Sequence, residues 1–112
     1  MDFHEKTCVP CQGGVPALSA DEAAGFLPNI PDWRLDHDAT RLVRDFKFQN
    51  YAAALTFVTA ISRVAEAEGH HPDICFGWGY AAVTLYTHKI KGLHENDVIM
   101  AAKFDRVFAE RE

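Results

Sequence analysis

Cysteine is scarce in this chain. Cys8, Cys11 and Cys75 are too few, and odd in number, for a disulfide framework. Cys8-Val-Pro-Cys11 has the spacer of a zinc knuckle or a redox pair, but no second pair completes a four-ligand zinc site. Gln12-Gly13-Gly14 follows, where a redox pair would open a helix. No apolar run is long enough to span a bilayer. The start, Met1-Asp-Phe-His-Glu-Lys, lacks the basic and apolar regions of a secretory signal, so a cytoplasmic location is expected. Positive charge is also short: 11 Lys and Arg against 16 Asp and Glu give a net charge of −5. That argues against a partner held by phosphate neutralisation, and His88-Lys89-Ile90-Lys91 is too small a basic stretch to reverse it. Phosphate-cradling glycine loops and a Gly-x-Ser-x-Gly elbow are missing as well.

What is present is enough apolar material, 48% of 112 residues with eight Phe, for one core in a single domain over 1–112. Residues 1–18 read as irregular, punctuated by Pro10, Gly13, Gly14 and Pro16. Ser19 and Glu22 have capping-box spacing before a short helix, Ala20 to Leu27, stopped by Pro28. Trp33–Asp36 and Arg41–Phe48 read as strands joined by a loop at 37–40, with Arg44 interrupting the apolar alternation of Leu42, Phe46 and Phe48. Asn50 is a good N-cap for a helix over Tyr51–Glu68, and Gly69 a natural stop. Asp73–Phe76 and Tyr80–His88 form a second strand pair, and a last helix runs from Glu95 to Glu110 with Glu95 and Asp97 suiting its dipole. The order α-β-β-α-β-β-α predicts an α+β fold, a four-stranded antiparallel sheet with three helices packed on one face. A sheet with one uncovered face and free edges usually finds a partner, so a homo-oligomer is expected.

The chemistry concentrates in Glu66-Ala-Glu-Gly-His70-His71-Pro72-Asp73, answered by Thr87-His88 and by Asp97. Imidazoles exchange protons near neutral pH, and neighbouring carboxylates raise their pKa and fix their tautomers. His70 and His71 diverge in an extended segment, and Pro72 stiffens it. Adjacent His residues make a poor chelating pair, so no metal is assigned, although a metal protein using Cys8, Cys11 and one or two His is the competing reading. Cys75 reads as a buried structural thiol rather than a nucleophile. Trp33 has two readings that stay open: core packing, or stacking on a planar heterocycle.

The run Glu66-x-x-x-His70-His71-Pro72, with Trp78, Thr87-His88, Gly92-Leu93 and Asp97, resembles the signature of the pterin-4a-carbinolamine dehydratases, and the resemblance covers Leu18 to about Phe108. The Cys-x-x-Cys-x-Gly-Gly-x-Pro opening is similar to that of bacterial members. The resemblance implies loss of water from a 4a-hydroxytetrahydropterin to give the quinonoid dihydropterin, within tetrahydropterin recycling. It implies no metal or organic cofactor, functional coupling to an aromatic amino-acid hydroxylase, and a homodimer or homotetramer. By resemblance His70 and His88 are the acid/base pair, and His71 shapes the pocket. Glu66 and Asp97 orient imidazoles or bind the pterin, Thr87 contacts it through its backbone, and Trp33 and Pro72 belong to the binding site. His94, Asn96 and Tyr86 depart from residues more usual in the family. A dimerising adaptor that keeps the fold without needing catalysis is the alternative.

Overall fold

The structure, a computed structural model, describes residues 2–9 and 16–111. Helix α1 spans Ala20–Phe26, strands β1 and β2 span Arg34–Asp36 and Arg41–Lys47, and helix α2 spans Tyr51–Glu68. Strands β3 and β4 span Asp73–Gly77 and Tyr80–Leu85, and helix α3 spans Glu95–Ala109. The four strands form one antiparallel sheet in the order β1-β2-β4-β3. The α+β order expected from the sequence is the one observed.

Local chemistry sets the element ends. Ser19 Oγ accepts from Glu22 N at 3.1 Å while the Glu22 carboxylate accepts from Ser19 N at 2.8 Å, closing the capping box of α1. Asn50 Oδ1 accepts from Ala53 N at 2.8 Å at the start of α2, a contact whose loss costs about 1 kcal/mol. Gly69 ends α2 at φ +66°, a left-handed conformation that costs glycine nothing, and turns the chain toward the histidines.

The register puts Leu42 opposite Leu85, Arg44 opposite Val83 and Phe46 opposite Ala81. These positions face the helices. Phe46 and Val83 join Phe57 and Ile61 of α2, Val98 and Phe104 of α3 and Ala23 of α1 in one core. Arg44 shares this inward face, which explains the interrupted alternation: its guanidinium lies against Phe46 and Phe108 and donates to Asp105 Oδ1 at 2.6 Å. Alternation also corrects the expectation for Cys75. Ile74 and Phe76 pack on the core, so Cys75 points to the other face and is exposed.

One boundary matters for function. Ladder pairing of β4 ends at Leu85, not at His88. Thr87 instead forms an isolated bridge with Gly92, its N–H donating to Gly92 O at 2.8 Å, and His88–Ile90 make a 3₁₀ turn closed by Lys91 at φ +52°. Gly92 is needed there, because a Cβ would lie 2.7 Å from Ala17 Cβ.

Candidate active site

The end of α2, the 3₁₀ turn and the start of α3 meet at one point, and Asp97 sits at it. Its side chain is fully buried. Oδ2 accepts from Thr87 Oγ1 at 2.8 Å and from His94 N at 3.0 Å, and Oδ1 lies 2.6 Å from His70 Nε2. Asp97 is thus both the capping carboxylate of α3 and the anchor of His70. His94 completes the cap, its Nδ1 accepting from Asn96 N at 3.0 Å. A carboxylate that already accepts from Thr87 and His94 suits the tautomer in which His70 Nε2 donates to it. Nδ1 is then the ring atom left to give or take a proton.

His71 has the same kind of partner in the opposite setting. Its Nε2 contacts Glu66 Oε2, one α2 turn back, but both side chains are largely in water, 59% and 78% exposed. His88 has neither arrangement: its ring lies 4.1 Å, centroid to centroid, from that of Tyr86.

Residues 69–71 and 86–89 line a cavity of about 460 Å³. His70, His71, Thr87 and His88 therefore share one space, and its volume falls in the range of small-molecule sites. Glu66 and Asp97 stand behind the imidazoles as their carboxylate partners. Pro72 and Trp33 are not among the lining residues. Trp33 is buried in the core, edge-on to Phe46, with its indole N–H donating to Asp105 Oδ1 at 2.7 Å. A buried indole needs an acceptor, and α3 supplies it. Asp105 is itself pushed upward in pKa by burial, against the hydrogen bonds from Trp33 and Arg44. A larger groove of about 1100 Å³ lies elsewhere, lined in part by Phe48, Phe57, Arg106 and Arg111, and holds none of these histidines.

Two contacts had no sequence signal. Asn96 grips the N-terminal segment at both ends of its amide, Nδ2 donating to Val9 O at 2.7 Å and Oδ1 accepting from Val9 N at 3.0 Å. Cys8 N donates to Glu68 Oε1 at 2.7 Å. Burial and the Glu68 charge push the Cys8 thiol up to about 12, so it resists the deprotonation that metal or redox chemistry needs. Cys11 lies outside the described residues. Among the described residues, the His, Cys, Asp and Glu side chains close enough to share a metal ion are Asp2, His4 and Glu5 near the N-terminus, not the cavity histidines.

Fold and site define a small α+β protein with a cavity lined by histidines, two of them paired with carboxylates. The family model for pterin 4 alpha carbinolamine dehydratase matches residues 16–107, and the chain belongs to that family. A protein of Halorhodospira halophila, provisionally named a pterin-4-alpha-carbinolamine dehydratase, is 54% identical over 109 residues, covering 97% of this chain and all of the relative. One of Methylococcus capsulatus with the same provisional name is 55% identical over 105 residues, 94% of this chain and 92% of the relative. The crystal structure of a transcriptional coactivator/pterin dehydratase from Brucella melitensis superimposes with a TM-score of 0.77 at 28% identity, over 81% of this chain and 97% of that one. A pterin dehydratase-like protein described as a RuBisCO assembly factor of the alpha-carboxysome superimposes with a TM-score of 0.59 at 30% identity, over 68% of this chain and 88% of that one.

Proposed function

We propose that the protein dehydrates 4a-hydroxytetrahydropterins by histidine general acid/base catalysis. The observation that carries this reading is the buried Asp97 holding His70 in a cavity that His71 and His88 also line. In the reaction the bridgehead C–O bond breaks. The hydroxyl leaves as water with a proton from a general acid, and a ring N–H gives its proton to a general base, leaving the quinonoid dihydropterin. His70 and His88 are the acid/base pair. Asp97 holds the His70 ring in one tautomer and stabilises its charged form. His71, tied to Glu66, shapes the open side of the pocket, Thr87 offers its backbone to the pterin, and Pro72 stiffens the loop. Trp33 lies in the core on Asp105 and is given no part in holding the ligand. The chemistry calls for no metal or organic cofactor.

The same reading places the protein in the cytoplasm, recycling tetrahydropterin for an aromatic amino-acid hydroxylase, as a homodimer or homotetramer. The outer edges of β1 and β3 and the exposed Tyr51 and Leu55 on α2 are surfaces for such assembly. The test is the decay of a 4a-hydroxytetrahydropterin generated by a hydroxylase, followed by absorbance. Stoichiometric or lower amounts of this protein accelerate it; decay at the spontaneous rate overturns the reading.

An adaptor role is the second reading. It is favoured by two solved relatives, one described as a transcriptional coactivator/pterin dehydratase and one as a RuBisCO assembly factor. A partner captured stoichiometrically, whose binding survives replacement of His70, His71 and His88 together, would establish it.

A further inference from the structure

The three cavity imidazoles are not held alike. His70 and His71 each have a carboxylate. His88 opens a 3₁₀ turn, is exposed, and meets only an aromatic ring in the contacts described above. A group that must deliver or accept a proton at a fixed atom needs a fixed orientation. We propose that Tyr86, clamped by Arg41, is the positioning residue that sets the His88 ring; the proposal rests on the dehydratase reading and assigns a further residue to that site.

Between Leu85 and the 3₁₀ turn the backbone is extended, so Thr87 points one way and Tyr86 and His88 the other. Thr87 is buried and donates to Asp97. That fixes the opposite direction for its two neighbours, whose rings meet at 4.1 Å with planes 40° apart. Tyr86 would remain free to rotate if nothing held it. The antiparallel register that pairs Leu42 with Leu85 places Arg41 beside Tyr86, one step beyond the ladder. The Arg41 guanidinium carbon lies 3.6 Å from the Tyr86 ring centroid.

Arg41 is anchored in turn. Its Nη1 lies 3.3 Å from both Thr40 O and Thr40 Oγ1. Thr40 closes the β1–β2 loop, its hydroxyl donating to His37 O at 2.6 Å and its N–H to Asp36 O at 3.2 Å. That loop holds His37, Asp38 and Ala39 at φ of 51°, 54° and 62°. Three consecutive non-glycine residues in the left-handed region persist only where surrounding contacts over-determine them. A path of contacts thus runs from the hairpin loop through Thr40, Arg41 and Tyr86 to His88, on the sheet side of the cavity and apart from the His70–Asp97 pair.

The test is a double-mutant cycle in the dehydration assay, with a proton NMR readout of the His88 ring. Tyr86→Leu lowers kcat about 10-fold or more with KM changed less than about 2-fold, and Tyr86→Phe, which keeps the ring, restores most of the loss. Arg41→Met, which alters only a half-exposed position, lowers kcat about 3-fold and keeps the variant set informative if Tyr86→Leu folds poorly. In a His88→Ala background Tyr86→Leu has no further effect, because its action runs through the missing imidazole. Full additivity of the two substitutions overturns the proposal, as does an unchanged kcat in both Tyr86→Leu and Arg41→Met. The His88 ring C–H resonance, shifted by the Tyr86 ring in the unmodified protein, moves toward its random-coil position in Tyr86→Leu; an unmoved resonance also overturns it. Because the resonance does not depend on turnover, an inactive protein would refute the dehydratase reading while leaving the positioning contact separately tested.

Discussion

His70 and His71 are neighbours in sequence, and each meets a carboxylate through Nε2, yet the two pairs live in different media. The His70–Asp97 pair is 11% and 0% exposed, whereas the His71–Glu66 pair is 59% and 78% exposed. In water an ion pair is screened and contributes about 0–1 kcal/mol, so Glu66 biases His71 without fixing it. In the interior the same pairing is strong, and removing one partner leaves a polar group stranded. Asp97 survives burial because Thr87 and His94 also donate to it. Spacing alone therefore does not rank the histidines of a cluster. What ranks them is which carboxylate the fold has taken out of solvent and surrounded with donors.

The largest effects should come from the buried pair. His70→Ala is expected to lower kcat by about 10²–10⁴-fold, the usual scale for one general acid or base. Asp97→Ala should match it and also destabilise the fold by roughly 1–3 kcal/mol for each donor left without a partner, measured by chemical denaturation. A destabilisation as small as that of Glu66→Ala would erase the contrast between the two sites.

Asp105→Ala sharpens the comparison by separating burial from chemistry. It strands the Trp33 N–H and leaves Arg44, which is 13% exposed, with only its 3.6 Å ion pair to the exposed Asp32, so a loss of about 3 kcal/mol in stability is expected. At a temperature where the variant is folded, kcat should stay within about 3-fold, because the cluster lies outside the cavity lining. Next in size is His71→Ala, with a loss of about 10-fold or less in kcat/KM, carried mainly by KM as removal of a pocket wall. Glu66→Gln should change stability by less than about 0.5 kcal/mol, as surface substitutions do, and kcat by less than about 3-fold.

The smallest effect at neutral pH concerns Cys8. Its folded pKa, about 12, lies above the ordinary 9.0, so between these values the unfolded chain releases a proton that the folded chain keeps. Folding stability therefore falls as pH rises through that window and is unaffected below it. Cys8→Ala should remove this alkaline component, seen as a flatter dependence of the denaturation midpoint on pH between 9 and 12.

Much of this molecule is local and was legible. Ser19 with Glu22, Asn50 and Gly69 announce helix ends through groups within a few residues of each other. The histidine cluster was legible for the same reason, since three of its parts fall at element ends. The end of β4 was not. Thr84, Tyr86 and His88 keep a strand's alternation, but pairing stops at Leu85 and Gly92 captures Thr87. Trp33 shows the other limit. Both of its readings needed knowledge of its acceptor, which lies 72 residues away on α3. The N-terminal clasp by Asn96 and Glu68 is likewise long-range, 87 and 60 residues in separation, and leaves no periodic trace. Cys75 reads as buried because strand thiols usually are, whereas the register places it, exposed, on the outer face.

We infer that the buried carboxylate, not membership of the cluster, decides which adjacent histidine carries the proton. The most direct measurement is kcat for His70→Ala and His71→Ala side by side, on one 4a-hydroxytetrahydropterin preparation, with folding of both confirmed. The expected kcat for His70→Ala is at least about 10-fold below that of His71→Ala. Equal values, or the reverse order, would contradict it.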